Sequence, residues 1–168
     1  MNKYKVYVYA ICKNESKHIK RWYESMSEAD GIFVLDTGST DGSQEILKEL
    51  GINYKEEKII PWRFDVARNK SLEMVPQDAD ICVCTDLDEV FNEGWRSELE
   101  KIWNNNVNCI KYRMNFSFDE YGKPATTLFI SKIHNRNDFV WKHMIHEVLE
   151  CKERREVVSE NIILNHFL

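Results

Sequence analysis

The chain is predicted to be an α/β protein with a mostly parallel sheet flanked by helices, on three observations. Strand-like and helix-like hydrophobic patterns alternate along its first two thirds, the order that a parallel sheet with crossover helices requires. The run Ile81-Cys82-Val83-Cys84 is apolar at every position, as in strands buried on both faces. Its 168 residues, 43% hydrophobic with only 6 Gly and 3 Pro, suffice for one sizeable core but not for two full domains. A single domain over residues 1–168 is expected.

Residues 6–11 are rich in β-branched and aromatic side chains and read as the first strand; Ile19, Trp22, Tyr23 and Met26 then recur at helical spacing. Residues 31–36 form the second strand. The turn-rich stretch 37–42 follows, then a helix carrying Ile46, Leu47 and Leu50 that stops at Gly51. Asp41 and Gln44 have the spacing of a capping box. A third strand is expected over 52–60, ended by Pro61, then a helix over 65–75 and a fourth strand over 81–85. Trp95, Leu99, Ile102 and Trp103 mark one more helix. The pattern then changes to strict alternation at Ile110, Tyr112, Met114, Phe116 and Phe118, and a strand-like stretch 127–133 follows a Gly/Pro-containing turn. This predicts an antiparallel hairpin near the carboxyl terminus. The remaining signals are the segment 141–148 and the apolar run 162–164, which is followed by His166.

A formal net charge of −5 leaves no broad basic surface to neutralise a phosphate backbone, so no nucleic-acid partner is expected. The apolar run near the amino terminus is too short for a transmembrane segment and lacks a small-residue cleavage site, which predicts a cytoplasmic protein. The odd number of cysteines, 5, and their wide spacing speak against a disulfide framework. Cys82 and Cys84 could ligate a metal, but their place in an apolar run favours core packing.

The chemistry concentrates at Thr85-Asp86-Leu87-Asp88-Glu89, directly after the most buried-looking strand, and open α/β sheets bind ligands beyond the carboxyl ends of their strands. Asp86 and Asp88 are two apart, so in an extended segment both carboxylates point the same way. Converging carboxylates repel unless a cation intervenes, and a hard ion such as Mn2+ or Mg2+ would also grip phosphate oxygens. The plainer alternative is that these acids cap the following loop.

Four segments in order, Ala10-Ile11-Cys12-Lys13-Asn14-Glu15, Leu35 through Ser43 around Asp36-Thr37-Gly38-Ser39, Ala67-Arg68-Asn69, and Cys84 through Glu89, resemble the nucleotide-binding half of family 2 glycosyltransferases with the GT-A fold. The resemblance spans residues 4–103, with the hairpin and 141–147 matching more loosely. It implies a nucleotide-sugar-binding half over 1–103 and a short acceptor-side half over 104–168. It also implies a metal-dependent, inverting transfer of one sugar from a nucleotide-diphospho-sugar, with a UDP-sugar favoured, to a glycan, lipid, peptide or small-molecule acceptor. Ala10, Cys12 and Glu15 are implied to line the nucleotide pocket, Asp36 to contact base or ribose, and Arg68 to lie near the nucleotide. Asp86 is implied to touch ribose or metal and Asp88 to hold the metal. Asp36 and Asp41 could instead make turn hydrogen bonds, and Arg68 could be a surface helix residue.

An inverting transfer needs a base near the acceptor hydroxyl or thiol. The segment Trp141 through Glu147 resembles the Trp and His-Glu pattern late in this family, which points to Glu147 with His146 beside it; Asp119 and Glu120 are rivals. A third metal ligand is expected from His166, with His146 as the rival, and His18, His134 and His143 are read as structural. The Gln-x-x-Arg-Trp pattern of processive synthases is absent, which argues against polymer synthesis. Only two residues follow His166, leaving little chain to build an acceptor site or to dock on a membrane, so a homodimer partner or further chain is the expected source of missing contacts. Two other readings compete: a non-catalytic nucleotide-sugar-binding module, and a haloacid-dehalogenase-type phosphatase with Asp86 as nucleophile.

Overall fold

A computed structural model describes residues 3–167; Met1, Asn2 and Leu168 of the expected 1–168 domain lie outside the described residues. The elements run β1 (Val6–Cys12), α1 (Ile19–Met26), β2 (Gly31–Asp36), α2 (Ser43–Glu49), β3 (Asn53–Glu56), α3 (Phe64–Glu73), β4 (Ile81–Cys84), β5 (Glu89–Phe91), α4 (Trp95–Ile102), β6 (Cys109–Phe118), β7 (Pro124–His134), β8 (Val140–Lys142), β9 (Val148–Glu150) and β10 (Glu156–His166).

One eight-stranded sheet has the order β3-β2-β1-β4-β7-β6-β10-β5, and β8 pairs with β9 in a separate hairpin. The β1–β2, β1–β4, β2–β3 and β6–β10 pairs are parallel, while β4–β7, β6–β7 and β5–β10 are antiparallel. The predicted α/β class, with a mostly parallel sheet between helices, is therefore the observed one. The expected antiparallel hairpin is β6–β7. It does not stand apart: Cys82 and Val83 of β4 pair with His134 and Ile133 of β7, which joins it to the parallel half.

Alternation of side chains gives the sheet two cores. Val6, Val8, Ala10, Ile81, Val83, Ile110 and Tyr112 face one side, where Ile19 and Trp22 of α1, Leu47 of α2, and Trp95 and Leu99 of α4 cover them. Tyr9, Cys82, Cys84 and Cys109 face the other, under Leu72 of α3 and Trp141 and Leu149 of the β8–β9 hairpin. All four residues of β4 are buried, as its unbroken apolar run predicts, and Cys82 and Cys84 pack in the core.

Several boundaries differ from expectation for identifiable reasons. The third strand ends at Glu56 rather than continuing to residue 60, because its only neighbour, β2, ends at Asp36, the partner of Glu56. Residues 57–63 then leave the sheet. The capping box is replaced: Asp41 accepts from the backbone and hydroxyl of Ser43, while Gln44 turns to donate to Asp36 over 2.9 Å. The short apolar run 162–164 is the end of an eleven-residue strand, and β5 has no signal in the sequence beyond three residues.

All five cysteines are free thiols, and burial pushes Cys12, Cys82 and Cys109 up to about 12 and Cys84 to about 11. Only Cys151 is less than fully buried. A thiol-titrating disulfide reagent should therefore modify Cys151 alone in the folded protein and the other four only on unfolding. A second fast-reacting thiol in the native protein would contradict this core.

Candidate active site

Strand order reverses direction at β1: the chain runs outward from β1 to β2 and β3, then returns to the other side of β1 as β4. Such a switch point leaves a crevice beyond the carboxyl ends of the strands. A cleft of about 1090 Å³ opens there, lined by Cys12 and Glu15 after β1, Arg68 of α3, Asp86, Asp88 and Glu89 after β4, and Glu147 and His166.

Its floor is a charge network centred on Arg68, whose side chain is 4% exposed. The guanidinium donates from Nη2 to Asp86 Oδ1 at 2.6 Å, from Nε to Glu147 Oε1 at 3.2 Å, and from Nη1 to Cys84 Sγ at 3.6 Å. Its face lies over the Trp141 ring, 5.6 Å from the centroid. Lys132 of β7 reaches the same acids, 3.2 Å from Asp86 Oδ2 and 3.4 Å from Glu89 Oε1. Burial alone would raise the Asp86 carboxyl, but Arg68 and then Lys132 outweigh it and hold it well below the usual carboxylate range. Glu89, with its side chain 2% exposed, is pushed up by burial, which Lys132 offsets only in part.

Asp86 and Asp88 do not converge as an extended segment would require. Residues 86–89 form a turn, closed by the Glu89 N–H donating to the Asp86 carbonyl at 3.2 Å, and the Glu89 carboxylate accepts from the Asp86 N–H at 2.7 Å. The turn sends Leu87 into the core and splits the two acids. Asp86 joins Arg68 and Lys132, whereas Asp88 Oδ2 lies 3.1 Å from His166 Nε2. The antiparallel register of β5 and β10, which sets His166 against Glu89, makes that approach. The Phe167 N–H donates to the Asp88 carbonyl at 2.8 Å and reinforces it. His166 Nδ1 faces the Phe116 carbonyl at 3.1 Å, and its ring stacks on Phe116 at 5.0 Å, leaving Nε2 toward Asp88.

These contacts test the metal expectation. Asp88 and His166 form an oxygen–nitrogen pair at the cleft wall that fits one divalent ion, with the imidazole held by a carbonyl on its far nitrogen, as ligating histidines are. Asp86, the other expected metal ligand, is engaged instead by Arg68 on Oδ1 and by Lys132 on Oδ2. Among the described residues no three His, Cys, Asp or Glu side chains gather to hold a metal, so a bound ion would take its remaining ligands from substrate or water.

The other expected residues divide. Cys12 and Glu15 line the cleft; burial, then Asp88 and Asp86, raise the Glu15 carboxyl. Ala10 does not reach it, being wholly buried among core residues on the α1 face of β1. Asp36 is also fully buried. Its Oδ1 accepts from the N–H groups of Gly38 and Ser39 and from Gln44, and its Oδ2 from the Ser39 hydroxyl, which is the turn role. His146 is exposed and outside the cleft lining, at a positive φ of 57°. Asp119 binds the backbone of its own hairpin turn, and it and Glu120 are exposed.

Three side chains that shape the site were assigned no role from the sequence. Lys132 reads as the polar face of an alternating strand, and Glu89 as a loop acid. Asn69 clamps β8 by donating to the Trp141 carbonyl at 2.8 Å and accepting from its N–H at 2.9 Å. The Trp141 indole donates to Tyr9 Oη at 2.8 Å, Tyr9 to His134 Nε2 at 2.7 Å, and His134 Nδ1 to the Asn135 carbonyl at 2.7 Å. This chain of bonds seats the hairpin whose loop carries Glu147.

The sequence matches the family model described as glycosyl transferase family 2 over residues 7–158, and the chain belongs to that family. Among solved structures, S. aureus TarS superposes with a TM-score of 0.69 at 14% identity, over 98% of this chain and 37% of its own. Glucosyl-3-phosphoglycerate synthase from Mycobacterium tuberculosis, crystallised with Mn2+, UDP and glucosyl-3-phosphoglycerate, superposes with a TM-score of 0.55 at 21% identity, over 67% of this chain and 44% of its own. The chain thus spans less than half the length of both, and at these identities the likeness speaks for the shared GT-A fold. No curated protein matches the sequence significantly.

Burial holds the His134 imidazole down at about 4, from 6.5 when unfolded. On acidification the unfolded chain therefore takes up the proton first, so the stability of this network is complete above 6.5 and is lost as pH falls from 6.5 toward about 4. The loss should reach about 1.4 kcal/mol per pH unit. Urea unfolding across that window should show it, and His134→Gln should be less stable at neutral pH but flatter with acid. An equal slope in the variant would remove His134 as the cause.

Proposed function

We propose that this chain is a metal-dependent, inverting glycosyltransferase that moves one sugar from a nucleotide-diphospho-sugar, with UDP-sugars favoured, to a hydroxyl-bearing acceptor. The observation that carries this reading is the Asp88–His166 pair, 3.1 Å apart, set in the switch-point cleft beside the Arg68 network. Family membership supports the reaction class, and the Mn2+ and UDP of the mycobacterial synthase support the donor and metal.

Asp88 and His166 would hold Mn2+ or Mg2+, which supplies electrostatic stabilisation for the charge developing on the departing diphosphate. Arg68 and Lys132 keep Asp86 ionised and fixed, so that it can accept a hydrogen bond from a ribose hydroxyl without moving. Glu15 and Cys12, at the β1 end of the cleft, would border the nucleotide. Glu147 is the proposed base: Arg68 holds Oε1, and Oε2, which has no partner among the described residues, can take the proton of the acceptor hydroxyl as it attacks the anomeric carbon. On this reading residues 104–168 supply the acceptor side, with remaining contacts from a second copy or from further chain.

UDP should raise the melting temperature only with Mn2+ or Mg2+ present, by up to about 2.7 kcal/mol of added stability at a hundredfold excess over Kd. Asp88→Asn and His166→Gln should lose that shift while melting normally without ligand. A shift of equal size without metal would exclude the pair as the metal site.

Glu147→Gln should still bind donor but transfer about 10²–10⁴ times more slowly. Unaltered transfer would eliminate Glu147 as the base. Donor binding without any transfer or hydrolysis by the parent would instead mark a binding module.

A further inference from the structure

The cleft mouth carries large apolar side chains in water: Ile60 is 85% exposed, Ile145 64%, Met144 49% and Trp62 40%. All four stand on two segments, 58–63 and 142–146, that flank the cleft from different parts of the chain. The Phe64 N–H donates to the Met144 carbonyl at 3.1 Å and holds them side by side, and Trp62 packs edge-on against Phe64 with centroids 5.1 Å apart. Ile60, Trp62 and Phe64 line the cleft itself, as does Glu147, the residue after the second segment.

An exposed apolar patch of this kind at a functional opening marks a contact surface. The surrounding charge indicates with what. In a chain of net charge −5, the two segments Lys58-Ile59-Ile60-Pro61-Trp62-Arg63 and Lys142-His143-Met144-Ile145-His146 contain no acid; Lys58 and Arg63 bracket the first apolar tip, and Lys142 precedes the second, which His146 and Glu147 follow. Arg63 shares its charge with Asp65 at 2.7 Å and Lys142 with Glu150 at 3.0 Å, but both cations remain about half exposed, and Lys58 has no carboxylate partner among the described residues. Isoleucine and tryptophan tips ringed by cations complement the acyl–headgroup boundary of an anionic bilayer. The indole sits well at that boundary, and each lysine or arginine gains from the negative surface potential.

We propose that residues 58–63 and 142–146 dock the cleft mouth on an anionic phospholipid surface, with Ile60, Trp62, Met144 and Ile145 entering the interface. The docking rests on these exposures and charges alone. Its corollary, that the acceptor is lipid-borne and reaches Glu147 from the bilayer side, rests on the transferase reading above.

The test is flotation with phosphatidylcholine vesicles, with and without about one third phosphatidylglycerol, in the absence of donor and metal. Trp62 is a built-in reporter, because Trp22 and Trp95 are 0%, Trp141 3% and Trp103 6% exposed. Binding to the anionic vesicles is expected, weakened by salt, with quenching of Trp62 by brominated lipid. The Ile60→Ser/Ile145→Ser double variant should bind at least about tenfold more weakly with an unchanged melting curve. No binding, equal binding to neutral vesicles, or an unaffected double variant would overturn the proposal. So would a concentration-dependent dimer that the double variant abolishes, since a second copy would then cover the rim. Loss of the metal-dependent UDP shift would leave the flotation result standing, so the two readings fail separately.

Discussion

A guanidinium buried among two carboxylates, a thiol and an indole holds this cleft together. Taking the Arg68 charge out of water costs several kcal/mol, and only close partners offset it. Those partners come from the end of β4, the loop beyond β8 and the ring of Trp141, so Arg68 makes α3, the sheet and the small hairpin mutually dependent. Lys132 extends the same logic from β7. Two cations face Asp86, Glu89 and Glu147, and the balance keeps a dense set of acids at one strand end without mutual repulsion opening the site.

That balance also explains why the two aspartates of the acidic turn have different surroundings. Asp86 is held by two cations and fixed in place. Asp88, turned the other way, meets an imidazole that arrives from β10, next to the far edge of the sheet. Their separation depends on the turn at 86–89 and on the β5–β10 register, so the Asp88–His166 contact is a property of long-range strand pairing as much as of the aspartate itself.

The cleft is two-sided in character. Its floor is charged and rigid, held by α3, β4 and β7. Its mouth is apolar and built from residues 58–64 beyond β3 and from the β8–β9 loop that carries Glu147.

The α/β class, the alternation of the first four strands with their helices, the double burial of β4 and the place of the acids at a strand end follow from the sequence by itself. Periodicity and strand-end position are local properties, set by a few neighbouring residues. Tertiary structure alone decided that Asp86 pairs with Arg68 and Lys132, that Asp36 and Ala10 stay inside, and that β6–β7 joins the main sheet. The Asp86 contacts join residues 18 and 46 positions apart, and Asp36 is taken by a turn that overrides strand periodicity. No local pattern encodes which distant side chain will supply the opposite charge, because the free energy that selects it comes from burial shared by the whole sheet.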